Sequence, residues 1–243
     1  MDELVLRGII IRQTNYGEAH RMLTIFTAES GIVKAVRYGV RGKKSSNAAA
    51  FQMLCYGDFK LRPAGGGIMT AVSADVIDGF YPVSEDIKKL SLISYLSDIT
   101  SAVLGEANPD KRILSLFLNA VYAAAYRDED YIKLKSIYEL KLMSIGGYMP
   151  RLDTCCVCGG DCEYFSCDKG SVVCRVHHSA GDIKTDSTLL ALMRYISVCE
   201  DKKMLSFSVS DETLFKRLSE ITEKYISTQC DMEFDSLKYF YAI

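Results

Sequence analysis

The stretch PRLDTCCVCGGDCEYFSCDKGSVVCRVHH, residues 150–178, decides how the chain is organised. It holds a C-x-x-C pair, Cys155 and Cys158, and after fifteen intervening residues a C-x-x-H pair, Cys174 and His177. A two-residue gap lets two side chains bend onto one cation, and thiolate sulfur and imidazole nitrogen suit zinc. The spacing therefore predicts a zinc knuckle. Its four protein ligands would close the tetrahedral shell, which favours a structural role over a catalytic one.

Other ligands within the same stretch stay open at this point. Cys156, Cys162 and Cys167 lie among the predicted ligands, and His178 directly follows His177. Each of these cysteines can replace one ligand of the set or can be an ordinary buried thiol, and His178 can replace His177. A structural zinc site contributes on the order of 10 kcal/mol to the folding of such a segment.

The composition is that of an ordinary globular protein, with 243 residues, 49% of them apolar and 25% charged. An odd number of cysteines, nine, does not fit a secreted disulfide framework. The opening MDELVLRG is acidic where a signal peptide is basic, and no apolar run approaches the roughly 20 residues of a membrane helix. We therefore expect a cytoplasmic protein.

Upstream of the knuckle, the first 80 residues carry five short β-rich segments separated by turn residues. These segments are residues 4–12, 21–28, 31–39, 52–62 and 68–80. The triple glycine before the fifth segment lacks the Lys-Ser/Thr that follows in a phosphate-binding loop, so it predicts a hairpin turn. Five strands without an obvious helix between them predict a small closed barrel, with an OB-fold as the leading candidate.

Beyond residue 80, apolar residues recur at helical spacing. Ser84 is the predicted cap of the first helix, Pro109 the first position of the second, and Asp130 the start of the third. Two more helices are predicted after the knuckle, from Ser187 and after Ser210. The predicted fold class is α+β, with an OB-fold domain over 1–80. An all-α domain over 81–243 follows, and it carries the zinc segment at about 150–180.

A cationic loop follows the third predicted strand, in the stretch RYGVRGKKSS, residues 37–46. It holds Arg37, Arg41, Lys43 and Lys44 with two glycines and one tyrosine. Lysine and arginine neutralise phosphates, and glycine lets the backbone approach them. The loop predicts a nucleic-acid contact, although a solvated loop that only aids solubility has the same composition. Residues 1–80 carry a net charge of +3, against −5 for residues 81–243.

In order and separation, these features resemble the RecO family of bacterial recombination mediators. The resemblance lies in GIIIRQTNYGEAHRMLTIFTAESGIVKAVRYGVRGKKS, residues 8–45, and in LKLMSIGGYMPRLDTCCVCG, residues 140–159. It implies an N-terminal OB-fold, a helical domain with a zinc knuckle, and no enzymatic activity. It also implies binding to single- and double-stranded DNA, strand annealing, and a location at the nucleoid.

The partners that the resemblance implies are RecR, the acidic, Phe-ended C-terminal tail of single-strand-binding protein, and indirectly RecA. It places the DNA contact on Lys34, Arg37, Arg41, Lys43 and Lys44. The basic residues Lys133, Lys135 and Lys141 of the third helix are candidates for holding the acidic tail. Many zinc-bearing relatives use a fourth cysteine where this chain has His177.

Two other functions compete with this reading. A zinc hydrolase or deaminase needs an open metal position and a general base, but the chain has neither H-E-x-x-H nor an H-x-E with P-C-x-x-C. A zinc-stabilised protein-binding adaptor, whose barrel does not bind DNA, stays open because OB-folds also bind other ligands.

Overall fold

A computed structural model describes residues 3–39, 48–105, 109–200, 203–207, 211 and 213–243. The chain forms two compact units, residues 1–126 together with residue 243, and residues 127–242. The helices that follow residue 80 are thus shared between both units, and the domain boundary at residue 80 stays a prediction. No helix in the described part of the chain is both long and apolar enough to cross a membrane.

The first unit contains a closed five-stranded barrel, which confirms the predicted fold class. Its strands are β1 (Leu4–Tyr16), β2 (His20–Thr27), β3 (Gly31–Arg37), β4 (Tyr56–Gly65) and β5 (Ile68–Asp78). They follow one another around the barrel in the order β1-β2-β3-β5-β4, and only the β3–β5 pair is parallel. This is the strand arrangement of an OB-fold. A short 3-10 helix, Ala48–Phe51, precedes β4, which starts four residues later than predicted.

Alternation of side chains builds the barrel core. Leu23 and Ile25 of β2 and Ala35 of β3 point inward and are fully buried, as the two-residue period of a strand requires. Gly57 of β4 allows the neighbouring strand to come close, because a Cβ there would lie 2.2 Å from the carbonyl oxygen of Asp75. The barrel can therefore close around a small apolar interior.

Three helices complete the first unit. They are α1 (Tyr81–Ser84), α2 (Ile87–Leu104) and α3 (Lys111–Tyr126). The predicted cap Ser84 is wrong, because Asp86 accepts hydrogen bonds from the first free N–H groups of α2. The predicted start at Pro109 is also wrong by two residues, since α3 begins at Lys111. The edge of Phe117 on α3 meets Phe26 of β2 with 6.4 Å between ring centroids.

The second unit is helical around a small sheet. Its elements are α4 (Tyr131–Ile145), β6 (Tyr164–Ser166), β7 (Ser171–Val173), β8 (Ile183–Lys184), α5 (Ser187–Val198), α6 (Thr213–Cys230) and α7 (Asp235–Ala242). The sheet has the order β7-β6-β8; β6 and β7 lie within the predicted knuckle, and β8 follows it. Asp130 caps α4 as predicted, through the N–H of Lys133. The predicted cap Ser210 lies outside the described residues.

A buried charge network joins α4 to α6. The Lys135 ammonium lies 2.9 Å from Glu139 and 2.7 Å from Glu223, and the Lys135 and Glu139 side chains are fully buried. Thr222 donates a 2.6 Å hydrogen bond to Glu139. Burial acts to lower the pKa of Lys135, but the two carboxylates outweigh it and raise that pKa, so the lysine stays charged.

Burial rules out two of the three lysines that were candidates for holding the acidic tail. Lys135 is buried in these ion pairs, and Lys141 is only 5% exposed because its ammonium donates to the carbonyls of Ser197 and Cys199. Neither can meet an acidic peptide at the surface. Lys133 pairs with Glu129 at 3.2 Å.

Replacing Lys135 by methionine should strongly destabilise the protein, because Glu139 would be left as an uncompensated buried charge. We expect a loss of about 3–5 kcal/mol in the free energy of unfolding. Urea denaturation followed by circular dichroism measures it. The control is Lys238→Met, which removes an exposed ion pair and should change that free energy by about 0.5 kcal/mol or less. Similar losses of unfolding free energy in both variants would contradict the role of Lys135 as the partner of the buried Glu139.

Candidate metal centre and nucleic-acid interface

Two short loops of the knuckle bring the predicted ligands together. In the first loop the Gly159 N–H donates to the carbonyl of Cys155 at 2.8 Å, and Gly159 has a φ of +72°, which glycine adopts without strain. In the second loop the His177 N–H donates to the carbonyl of Cys174 at 3.1 Å, directly after β7. β7 supports both loops, since the second follows it directly and the Cys156 N–H of the first donates to the carbonyl of Val172 on β7 at 3.1 Å.

The ligand atoms of Cys155, Cys158, Cys174 and His177 all lie within 4.8 Å of one another. The Sγ atoms of Cys158 and Cys174 are 3.8 Å apart, and His177 Nδ1 is 3.7 Å from the sulfur of Cys155 and 3.2 Å from that of Cys174. In a tetrahedral zinc site, standard bond lengths separate such atoms by about 3.6–3.8 Å. The cluster can therefore hold one metal ion with four protein ligands.

The surroundings of Cys155 favour its thiolate. Burial acts to raise the pKa of this thiol, but hydrogen bonds from the backbone N–H groups of Val157, Cys158 and Cys174 and from His177 lower it to about 5. The backbone of Gly160 acts to lower the pKa of Cys158, yet the adjacent Cys155 and Cys174 raise it overall. Without a cation, the first sulfur to ionise thus disfavours ionisation of its neighbour, and a bound cation relieves this repulsion.

The remaining cysteines and the second histidine of the knuckle lie elsewhere. The ring of His178 stacks on Tyr164 with centroids 4.1 Å apart and planes 11° from parallel. Burial raises the pKa of Cys167 to about 11, so this thiol stays protonated. Cys156 and Cys162 also lie outside the four-residue cluster. The structure thus brings together the set predicted first and none of the alternatives.

On the barrel, two of the five predicted DNA contacts lie within the described residues. Lys34 is exposed on the outer side of β3. Arg37 instead places its guanidinium 4.6 Å from the ring centroid of Phe51 and donates to the carbonyls of Ala71 and Val72 at 3.1 and 2.8 Å. The other three, Arg41, Lys43 and Lys44, lie outside the described residues.

The structural role of Arg37 was missed, although the sequence carries a signal for it. Arg37 is in phase with Val33 and Ala35, which face the barrel core, whereas Lys34 has the opposite phase. Strand alternation thus separates the inward arginine from the outward lysine. An arginine at the inward phase of a small barrel has to find hydrogen-bond acceptors, which the β5 carbonyls provide.

Comparison with known proteins gives a consistent result along the whole chain. The family model described as Recombination protein O N terminal matches residues 1–80, and the one described as Recombination protein O C terminal matches residues 84–238. A DNA repair protein RecO of Acetivibrio thermocellus is 31% identical over 98% of this chain and 96% of its own length. One of Alkaliphilus metalliredigens is 28% identical over 95% and 96%, respectively.

Two adjacent histidines give a sharp test of the metal centre. We expect purified wild-type protein to carry about one metal ion per chain. His177→Ala should lose most of it because a ligand is removed, whereas His178→Ala should keep it because His178 lies outside the ligand cluster and stacks on Tyr164. Elemental analysis by mass spectrometry measures the content. Loss of metal in the His178 variant, or retention in both, would show that the ligand set is different.

Proposed function

Because the chain belongs to the RecO family of DNA repair proteins, we propose that it is a non-enzymatic recombination mediator that binds and anneals DNA strands. It takes both single- and double-stranded DNA. It acts with RecR to help RecA replace single-strand-binding protein on DNA, and it recognises the acidic tail of that protein through its helical part. It works in the bacterial cytoplasm at the nucleoid.

The observation that carries this proposal is the closed barrel with a cation on its outer face. Lys34 is exposed on β3, and the sequence continues from the end of β3 into the stretch with Arg41, Lys43 and Lys44. A mediator has to hold the phosphate backbone without reading sequence, and a barrel with cations and aromatic side chains has the chemistry for this. Annealing also requires that the bases stay free to pair, which favours contacts to phosphates over contacts to base edges.

We propose zinc as the ion of the knuckle. Three thiolates and one imidazole are soft and borderline donors, which suit zinc and are poor ligands for magnesium or calcium. With four protein ligands the shell leaves no position for an activated water. Zinc would hold the two loops of the knuckle together and so support the second unit.

The cationic loop can be tested through the salt dependence of DNA binding. Replacing Arg41, Lys43 and Lys44 together by alanine should weaken binding to a single-stranded oligonucleotide and flatten the slope of log affinity against log salt by about 2, because three phosphate contacts are lost. Fluorescence anisotropy across a salt series measures both. The matched control removes three exposed cations of the second unit, in Lys169→Ala, Lys184→Ala and Lys216→Ala. An equal effect of the control would mean that only net charge matters.

The proposed function as a whole is tested by strand annealing. Purified wild-type protein should accelerate the pairing of complementary strands coated with single-strand-binding protein, without nucleotide hydrolysis and without degrading the strands. Fluorescence quenching between labelled strands follows the reaction, and gel analysis checks their integrity. A folded, metal-loaded protein that binds no DNA at low salt would instead support the adaptor reading, and strand cleavage would support an enzyme.

A further inference from the structure

We propose that Tyr16, His20 and Tyr38 form a platform on which unpaired bases of a single DNA strand stack. The proposal rests on the DNA-binding function proposed above and assigns it a base-contacting surface. None of these three residues is part of the cationic set considered so far. We call them the aromatic row.

Strand register places the aromatic row side by side on three strands. Tyr16 at the end of β1 is paired directly with His20 at the start of β2. In the next pair of strands Arg21 is opposite Arg37, so the following position, Tyr38, lies beside His20. The rings of His20 and Tyr38 meet edge to face, with centroids 4.8 Å apart and planes at 70°.

The aromatic row faces outward from the barrel. His20 and Tyr38 have the opposite phase to the core residues Leu23 and Ala35, and Tyr16 shares the face of its partner His20. Tyr16 is 47% exposed and Tyr38 49% exposed. The face of the second and third strands, with the turn between the first two, is where OB-folds hold oligonucleotides.

A backbone contact holds the centre of the aromatic row in place. The Gly39 N–H donates to His20 Nδ1 at 3.3 Å, which makes Nδ1 an acceptor and leaves the proton of the neutral ring on Nε2. Gly39 has a φ of +73°, a conformation that glycine adopts without strain. A ring that is already oriented loses less conformational freedom when a base stacks beside it.

The charges around the aromatic row fit a strand that lies across β3. Lys34 has the same phase on β3 as Tyr38, four residues or about 13 Å away along the strand, and the buried Val36 lies between them. The exposed Glu18 lies in the turn between Tyr16 and His20 and repels phosphates. The phosphates therefore lie toward Lys34, and the bases lie toward the tyrosines.

The test separates bases from phosphates. In the full-length protein, Tyr16→Leu and Tyr38→Leu are combined, and binding is measured by anisotropy with oligothymidine and with an abasic oligomer of equal length. Loss of two stacked bases should weaken binding to oligothymidine by about tenfold or more. Binding to the abasic oligomer should stay within about twofold, and the salt slope should not change, since the phosphate contacts remain.

Two controls decide how a loss is interpreted. The combined Tyr16→Phe and Tyr38→Phe variant keeps the rings and should bind oligothymidine like the wild type. Tyr239→Leu changes a tyrosine that is 69% exposed on α7 and should have no effect. Three outcomes would overturn the platform. The leucine variant could lose the same affinity for both oligomers or keep full affinity for oligothymidine, or the phenylalanine variant could lose affinity for oligothymidine.

The same data distinguish this inference from the function on which it rests. If the wild type binds both oligomers and the leucine variant binds each as tightly as the wild type does, only the platform is refuted. If the wild type binds neither oligomer at low salt, the proposed DNA-binding function fails and the platform fails with it. If the variants bind DNA normally but lose a protein partner, the aromatic row is a protein contact and the proposal is overturned.

Discussion

Closure of the barrel between β3 and β5 is the constraint on which the first unit depends. These strands are parallel and share a short register, in which Ala35 is opposite Met69 and Val36 is opposite Thr70. Arg37 extends the contact between β3 and β5, because its guanidinium donates to two carbonyls of β5 and packs on Phe51. A single side chain thus satisfies backbone acceptors where the strand ladder ends. Once β3 and β5 are paired, the side of the barrel that each residue of β3 faces is fixed, and Lys34 and Tyr38 must face outward.

In the second unit, a set of metal ligands and a network of buried ion pairs add to the apolar packing that stabilises the fold. The strands β6, β7 and β8 have three, three and two residues, too few to form a stable sheet alone. A metal ion held by ligands from two loops would supply the missing constraint. Between the helices α4 and α6, the buried lysine and its two carboxylate partners join the chain at one register, because any shift would leave a buried charge unpaired.

In the function proposed here, the outer face of the barrel makes two kinds of contact with different physical consequences. Cations bind the phosphate backbone strongly at low salt and carry no sequence information. Aromatic rings stack on bases, are less sensitive to salt, and tolerate any sequence. A surface with both can hold an unpaired strand in an extended form, and a strand held in this way has a lower entropic barrier to pairing with its complement. In the proposed function, this is the physical link between the barrel and the role of the family in DNA repair.

Many structural features of this protein could be predicted from local sequence patterns alone. The five strand segments, the helical stripes, the start of α4 at Asp130 and the two ligand pairs of the knuckle all follow from residue type and spacing over a few positions. The cap of α2 and the first residue of α3 were misplaced because several residues compete at each start, and only the backbone geometry selects one. The small sheet of the knuckle was not predicted, since its strands are too short to show a period.

The sequence by itself determined that the chain has a β-rich barrel, a helical part and a set of soft metal donors, because these depend on the period and chemistry of neighbouring residues. Only the tertiary structure decided that His177 joins the cluster while His178 stacks on Tyr164. It also buried Lys135 and Lys141 and turned Arg37 toward β5. These outcomes depend on residues tens of positions away in the chain, and no local pattern contains the strand register and helix packing that bring such residues together.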